Sequence, residues 1–148
     1  MPTEVRELTT EAEWDEAVPI LRQLWSHVDD AAVYEWREEA DYRLFGLYEV
    51  DDAVTGATGA DALVAAAGVS IQRVLHHERH LWVHDFVVDE PCRGEGFGGE
   101  LLDWLDGWAR DRDCEHLSLA CSADNDAGRE FYESEGLTVW GQVMEREL

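Results

Sequence analysis

The chain has 148 residues, 45% hydrophobic and 10% aromatic, and sets 34 Asp and Glu against 11 Lys and Arg for a formal charge of −23. That length and apolar content suit one globular domain over 1–148 and exclude disordered and fibrous classes. All 11 cations are Arg, and no run of them offers the basic face that phosphate neutralisation needs, which makes nucleic acid an unsuitable partner.

A carboxylate shell of this density repels itself in dilute buffer and is screened near 1 M salt, where the Debye length is roughly 3 Å. The composition therefore points to a salt-accumulating cell, an extreme halophile, against the alternative that Arg-for-Lys replacement reflects genome composition. Cys92, Cys114 and Cys121 form no CxxC pair and leave an odd thiol under any disulfide scheme, as expected of a reducing interior. Glu4, Arg6 and Glu7 stand where a signal peptide would be apolar, and the longest apolar run, Ala62 to Val69, is far short of the ~20 residues of a membrane span. The expectation is a cytoplasmic protein without a membrane partner.

In chain order, Thr3 to Leu8 reads as a strand. Thr10 then caps a helix whose Trp14, Val18, Leu21 and Trp25 share one face, with Pro19 set to kink or split it. A second helix is expected over Asp30 to Asp41 and a strand over Tyr42 to Val50. Asp51 to Ala60 reads as a turn. Leu63 to Leu75 and Leu81 to Val88 read as strands joined by the polar turn His76-His77-Glu78-Arg79, so that strands two to four form an antiparallel meander. The second half gives a helix from Gly96 to Arg112, a strand from Glu115 to Cys121, a helix from Asp126 to Glu135 and a final strand from Thr138 to Glu147. The order βααβββαβαβ is an α/β or α+β fold with a mixed sheet.

The stretch most charged with chemistry is Val87-Val88-Asp89-Glu90-Pro91-Cys92-Arg93-Gly94-Glu95-Gly96-Phe97-Gly98-Gly99, where a strand ends, four glycines fall within six residues and a helix begins. Such a loop suits an anion, because backbone can approach a phosphate without Cβ atoms and the first helical N–H groups have no intrahelical partner. Arg93 either adds a charge-assisted contact or braces the loop. The dinucleotide pattern GxGxxG also fits, but it belongs after a first strand with an acidic residue ending the next, and here that strand ends in Ala120-Cys121-Ser122. A P-loop needs a lysine, and the chain has none.

Arg93-Gly94-Glu95-Gly96-Phe97-Gly98 resembles the (Q/R)xxGx(G/A) signature of the GCN5-related N-acetyltransferases, the GNAT family. Downstream, Asn125-Asp126-Ala127-Gly128-Arg129-Glu130-Phe131-Tyr132, closed by Gly136-Leu137, resembles that family's later element: an Asn at a helix mouth, an aromatic-Tyr pair, and a Gly before an apolar residue. The element order is similar to that fold along nearly the whole chain, with the sheet splayed between strands four and five.

The resemblance implies a transferase that moves acetyl from acetyl-CoA to a primary amine, without a metal. The acceptor is left open among small amines, polyamines, amino-acid derivatives and protein N-termini. The implied cofactor residues are Phe86, Val87 and Val88 along the pantetheine arm, the N–H groups of Arg93, Gly94, Glu95, Gly96, Phe97, Gly98 and Gly99 around the pyrophosphate, and Asn125. Tyr132 would protonate the departing thiolate. Glu90 and Glu95 put negative charge near the pyrophosphate where relatives carry cations, and Pro91 lies one position later than usual.

For the base, strict alternation along Leu81 to Val88 sets Trp82, His84, Phe86 and Val88 on one face and Asp85 on the other. His84, Asp85 and a water chain all stay open, with His84 titrating nearest neutrality. Tyr34, Trp36 and Trp82 are candidates for acceptor contact, while Trp14, Trp25, Trp104 and Trp108 read as packing. His76, His77, His80 and His84 lack accompanying Cys and read as turn residues rather than a zinc site. A homodimer is compatible with the family. The rival readings are a non-catalytic acyl-CoA-binding sensor and a dinucleotide-binding protein.

Overall fold

A computed structural model describes residues 2–50 and 61–148; the turn expected over Asp51 to Ala60 lies outside the described residues. Thr10 opens the first helix, α1 (Glu11–Leu21), through a capping box: its side chain accepts from Glu13 N while the Glu13 carboxylate accepts from Thr10 N. The helix runs through Pro19 and stops two residues later at Leu21, so Trp25, expected on its apolar face, lies in the turns that follow. Asp29 caps α2 (Asp30–Glu35) by accepting from Ala32 N, and a 3-10 turn over Trp36–Glu38 takes the place of the rest of the expected helix.

Five strands line up in the order β1 (Thr3–Glu7), β2 (Arg43–Glu49), β3 (Ala62–Val74), β4 (Glu78–Val88) and β5 (His116–Leu119). The first four pair antiparallel with their chain neighbours, and β5 lies parallel to β4. This is the mixed sheet of the expected α/β fold. The β3–β4 connection is tighter than the sequence suggests: β4 begins at Glu78, which takes a positive φ of 54°, and His76-His77 form the bend.

The β3–β4 ladder contains one irregularity. Gly68 pairs with Asp85 and Val69 with Val83, so His84 is an extra residue with no partner on β3. Such a bulge turns two consecutive side chains toward the same side of a sheet. From Asp85 onward it is the odd residues of β4 that face α1 and α2, as the packing of Val87 among Trp14, Val18 and Leu21 records.

The chain divides into two compact units, Met1–Ser118 and Leu119–Leu148. The first holds the core, in which α3 (Phe97–Arg110) buries Leu101, Leu102, Leu105 and Trp108. The second contains α4 (Asp126–Ser134), capped by Asn125 and closed at Gly136 with φ 95°. The final strand expected from Thr138 to Glu147 does not form: residues 137–148 have no regular secondary structure, and Val139, Trp140, Val143 and Met144 are exposed. β-propensity measures fit to a half-buried pleated surface, and this stretch makes no ladder that would supply one. No helix among the described residues is long and apolar enough to cross a membrane.

Candidate active site

The bulge at His84 builds the site. Because His84 and Asp85 turn to the same side, both line a cavity of about 340 Å³ between the sheet and the α1–α2 layer. The expectation from strict alternation, which put the two on opposite faces, is corrected by that one inserted residue. Aromatic rings of Trp14, Trp25, Trp36 and Tyr42 form much of the wall, and Leu21, Val28 and Val33 supply aliphatic surface.

Asp85 is the anchor of the polar groups. One of its oxygens accepts from Trp25 Nε1 at 2.5 Å and the other from the Tyr42 hydroxyl at 2.7 Å. Burial, reinforced by the Asp85 charge and the hydrogen bond to it, raises the Tyr42 pKa far above its ordinary value, so the phenol stays a donor. His84 bonds through Nε2 to Ser70 Oγ at 2.7 Å, and its ring lies 5.7 Å from that of Tyr42. Desolvation lowers the His84 pKa against the opposing pull of Asp85, leaving a neutral ring able to accept a proton at pH 7.

β4 leads from this cavity to the glycine loop. β5 starts beside Arg79, where Glu115 N donates to Arg79 O at 2.8 Å, and is four residues long. Phe86, Val87 and Val88 thus lie beyond its end, which is the splay expected between strands four and five. A 3-10 turn over Glu90–Cys92 follows, then Gly94 and Gly96 at φ 84° and 87°, conformations that L side chains rarely adopt. Gly96 is the N-cap of α3 and offers no side chain to the first-turn N–H groups of Phe97, Gly98 and Gly99. Arg93 acts as a brace, donating from Nε to Val88 O at 3.1 Å and from Nη2 to Gln23 Oε1 at 3.3 Å. Gln23 also accepts from Glu90 N and donates to Asp89, tying the segment after α1 to the loop; an isolated Gln carries no sequence signal for such a role.

A profile of the Acetyltransferase (GNAT) family matches residues 8–137, across both units. The chain belongs to the GNAT family. A Bacillus subtilis relative, the uncharacterized N-acetyltransferase YhdJ, is 33% identical over 141 residues, covering 91% of this chain and 92% of its own. Among solved structures, the aminoglycoside N-acetyltransferase AAC(6')-Iy in complex with CoA superposes with a TM-score of 0.77 at 15% identity, covering 99% of this chain and 95% of that one. The ribosomal-protein-alanine N-acetyltransferase of Brucella melitensis biovar Abortus 2308 gives 0.78 at 20% identity over 99% and 100%. These structures share the fold.

Within this GNAT N-acetyltransferase the sequence-nominated residues separate into groups. His84, Asp85 and Trp36 meet at the cavity, whereas Tyr34 and Trp82 are not among its lining residues: Tyr34 packs against the core and Trp82 stands opposite Ser70 on the ladder, its ring 6.1 Å from His80. Trp25, read as packing, is half-exposed and bonds Asp85. Tyr42 and Gly68 were not singled out, although a lone Gly inside an apolar strand run is the usual mark of close approach. In the second unit Asn125 Oδ1 accepts from Gly128 N at 2.9 Å as the α4 cap. Tyr132 has its pKa pushed up to about 12, chiefly by burial and secondarily by Cys121, and is a protonated phenol at neutral pH. Among the described residues no group of three His, Cys, Asp or Glu is arranged to hold a metal ion.

Proposed function

We propose that residues 1–148 act as one domain that transfers acetyl directly from acetyl-CoA to the primary amine of an acceptor held beside His84 and Asp85. The observation that carries this reading is the bulge, which aims a neutral imidazole and a carboxylate into one cavity on the strand that continues into the glycine loop. Net transfer forms an N–C bond, breaks a C–S bond, removes two protons from the ammonium and returns one to the thiolate.

The loop suits a pyrophosphate. Among the described residues nothing lies within 4 Å of where a Cβ of Gly94 or Gly96 would stand, and the first turn of α3 presents N–H groups without a side-chain cap. Phe86, Val87 and Val88 would hold the pantetheine arm by backbone pairing, the N–H groups from Arg93 through Gly99 would hold the phosphates, and Asn125 would meet the arm. When bound, acetyl-CoA supplies an acyl group activated as a thioester. Asp85 holds the incoming ammonium, and His84, oriented by Ser70, takes its proton. Tyr132 supplies the proton that the thiolate needs.

Calorimetric titration of acetyl-CoA, with NAD as comparison, followed by thiol-release assays on amines, tests this reading. Binding of acetyl-CoA with amine-dependent CoA release and loss of turnover in His84→Ala supports it. Binding without release on any amine favours a sensor, and binding of NAD alone overturns it.

A further inference from the structure

We infer that the acceptor is a small monoamine with an apolar, aromatic-compatible body and no carboxylate. The inference rests on the acetyltransferase reading and narrows it, and it comes from the charge and hydrogen-bond inventory of the cavity.

The walls come first. A volume of about 340 Å³ is at the small end of the roughly 300–1,000 Å³ of ligand pockets. Trp14, Trp25, Trp36 and Tyr42 present rings, with Trp14 and Trp36 each stacked at a tilt against Tyr42 at 6.1 and 5.7 Å. Trp36 is half-exposed, so part of its ring is open to solvent. Such a box accommodates a flat or aliphatic body and attracts a cation to its ring faces.

The polar groups are few and mostly engaged. The Trp25 N–H and the Tyr42 hydroxyl both donate to Asp85, His84 is tied to Ser70, and His27 adds one further imidazole to the lining. A hydroxyl-rich acceptor such as an aminoglycoside would leave most of its donors facing rings and methyl groups, at a desolvation cost for each. Asp85 supplies one negative charge, and two donors leave it lone pairs for one ammonium. A polyamine would bring further cations to apolar walls. Among the described residues lining the cavity there is neither Lys nor Arg, and His27 and His84 are the basic side chains, so a free amino acid would set its carboxylate beside Asp85 with no guanidinium or ammonium to pair it.

The test compares 2-phenylethylamine with L-phenylalanine, spermidine and kanamycin on the full chain with saturating acetyl-CoA, following CoA thiol release and product mass. The expected kcat/KM for 2-phenylethylamine exceeds each of the others by at least about tenfold. Trp36→Ala should raise its KM several-fold while the acetyl-CoA KM stays unchanged. A separate readout needs neither turnover nor a variant: 2-phenylethylamine should quench the cavity tryptophans at concentrations about tenfold below those needed by the neutral isostere 2-phenylethanol. Preference for spermidine or kanamycin, parity with L-phenylalanine, or equal quenching by the alcohol overturns the inference with the acetyltransferase reading intact. Absence of acetyl-CoA binding removes that reading instead, and the quenching comparison then still decides whether the cavity selects a monocation.

Discussion

Gly68 and Tyr42 compete for the same space: a Cβ on Gly68 would lie 1.7 Å from the Tyr42 hydroxyl oxygen. Gly68 is also the ladder partner of Asp85, to which that hydroxyl donates. One missing methyl on β3 thereby lets a phenol from the residue just before β2 reach the carboxylate on β4. Gly68→Ala is expected to destabilise the fold by about 1–3 kcal/mol and to raise the acceptor KM, because Tyr42 must leave Asp85. Urea unfolding and amine kinetics check this, with Tyr42→Phe as the control that removes the hydrogen bond without overpacking.

Tyr132→Phe is expected to lower kcat by about 100-fold, the lower range for loss of a general acid, with acetyl-CoA affinity unchanged in calorimetry. Since the Tyr132 pKa is pushed up to about 12, its ionisation should produce no loss of activity below about pH 11. An alkaline limb near pH 10 would show a phenol in ordinary water and would remove the argument for a buried donor.

Stability should fall as the solution is acidified below pH 6.5. His80 is 4% exposed and neither ring nitrogen has a hydrogen-bond partner, with His76, His77 and His116 as the titratable neighbours that oppose its charging. Desolvation, then His77, His76 and His116, lower its pKa below 6.5. A folded-state value below the unfolded one means that the unfolded chain binds more protons in that interval. The stabilising contribution is therefore complete above about 6.5 and lost as the pH falls through the folded value. His84 has the same sign. His80→Leu should flatten thermal stability between pH 7 and 5, measured by calorimetry; an unchanged slope would place the titration elsewhere.

Salt should stabilise this chain. With 34 acidic side chains and 11 Arg, repulsion is relieved as the Debye length contracts from about 10 Å at 0.1 M to about 3 Å at 1 M. Tm is expected to rise steadily with KCl over that range, with acetyl-CoA affinity rising alongside it. A flat Tm would leave the absence of lysine to genome composition.

Much of the architecture was legible because its signals are local. Thr10 announced the start of α1, the apolar run beginning at Ala62 announced β3, and the glycine cluster marked the loop into α3, where Gly94 and Gly96 take positive φ. The site was legible only in part. Nothing in His84-Asp85 signals a bulge, since an extra residue is defined by its partner strand and has no composition of its own. Trp25 and Tyr42 are 17 residues apart in sequence and converge only through Asp85. The final strand misled for the converse reason: Thr138 to Glu147 has the Val and Trp content of a strand, but propensity describes a surface and a strand also needs a neighbour.

The bulge sets a reading frame along β4. Upstream of it even-numbered side chains look toward α1 and α2; downstream odd-numbered ones do, as Ser70 opposite Trp82 and Gly68 opposite Asp85 attest. Replacing His84 by Ala keeps that frame and removes one ring. Deleting it would make the Gly68–Asp85 and Val69–Val83 pairs consecutive and leave the remaining β4 side chains on their present faces, with Val87 still in the core; what would go is the ring together with the local bend that a bulge imposes. Substitution at this position therefore removes chemistry alone, whereas deletion removes the same chemistry and straightens the strand at the cavity wall.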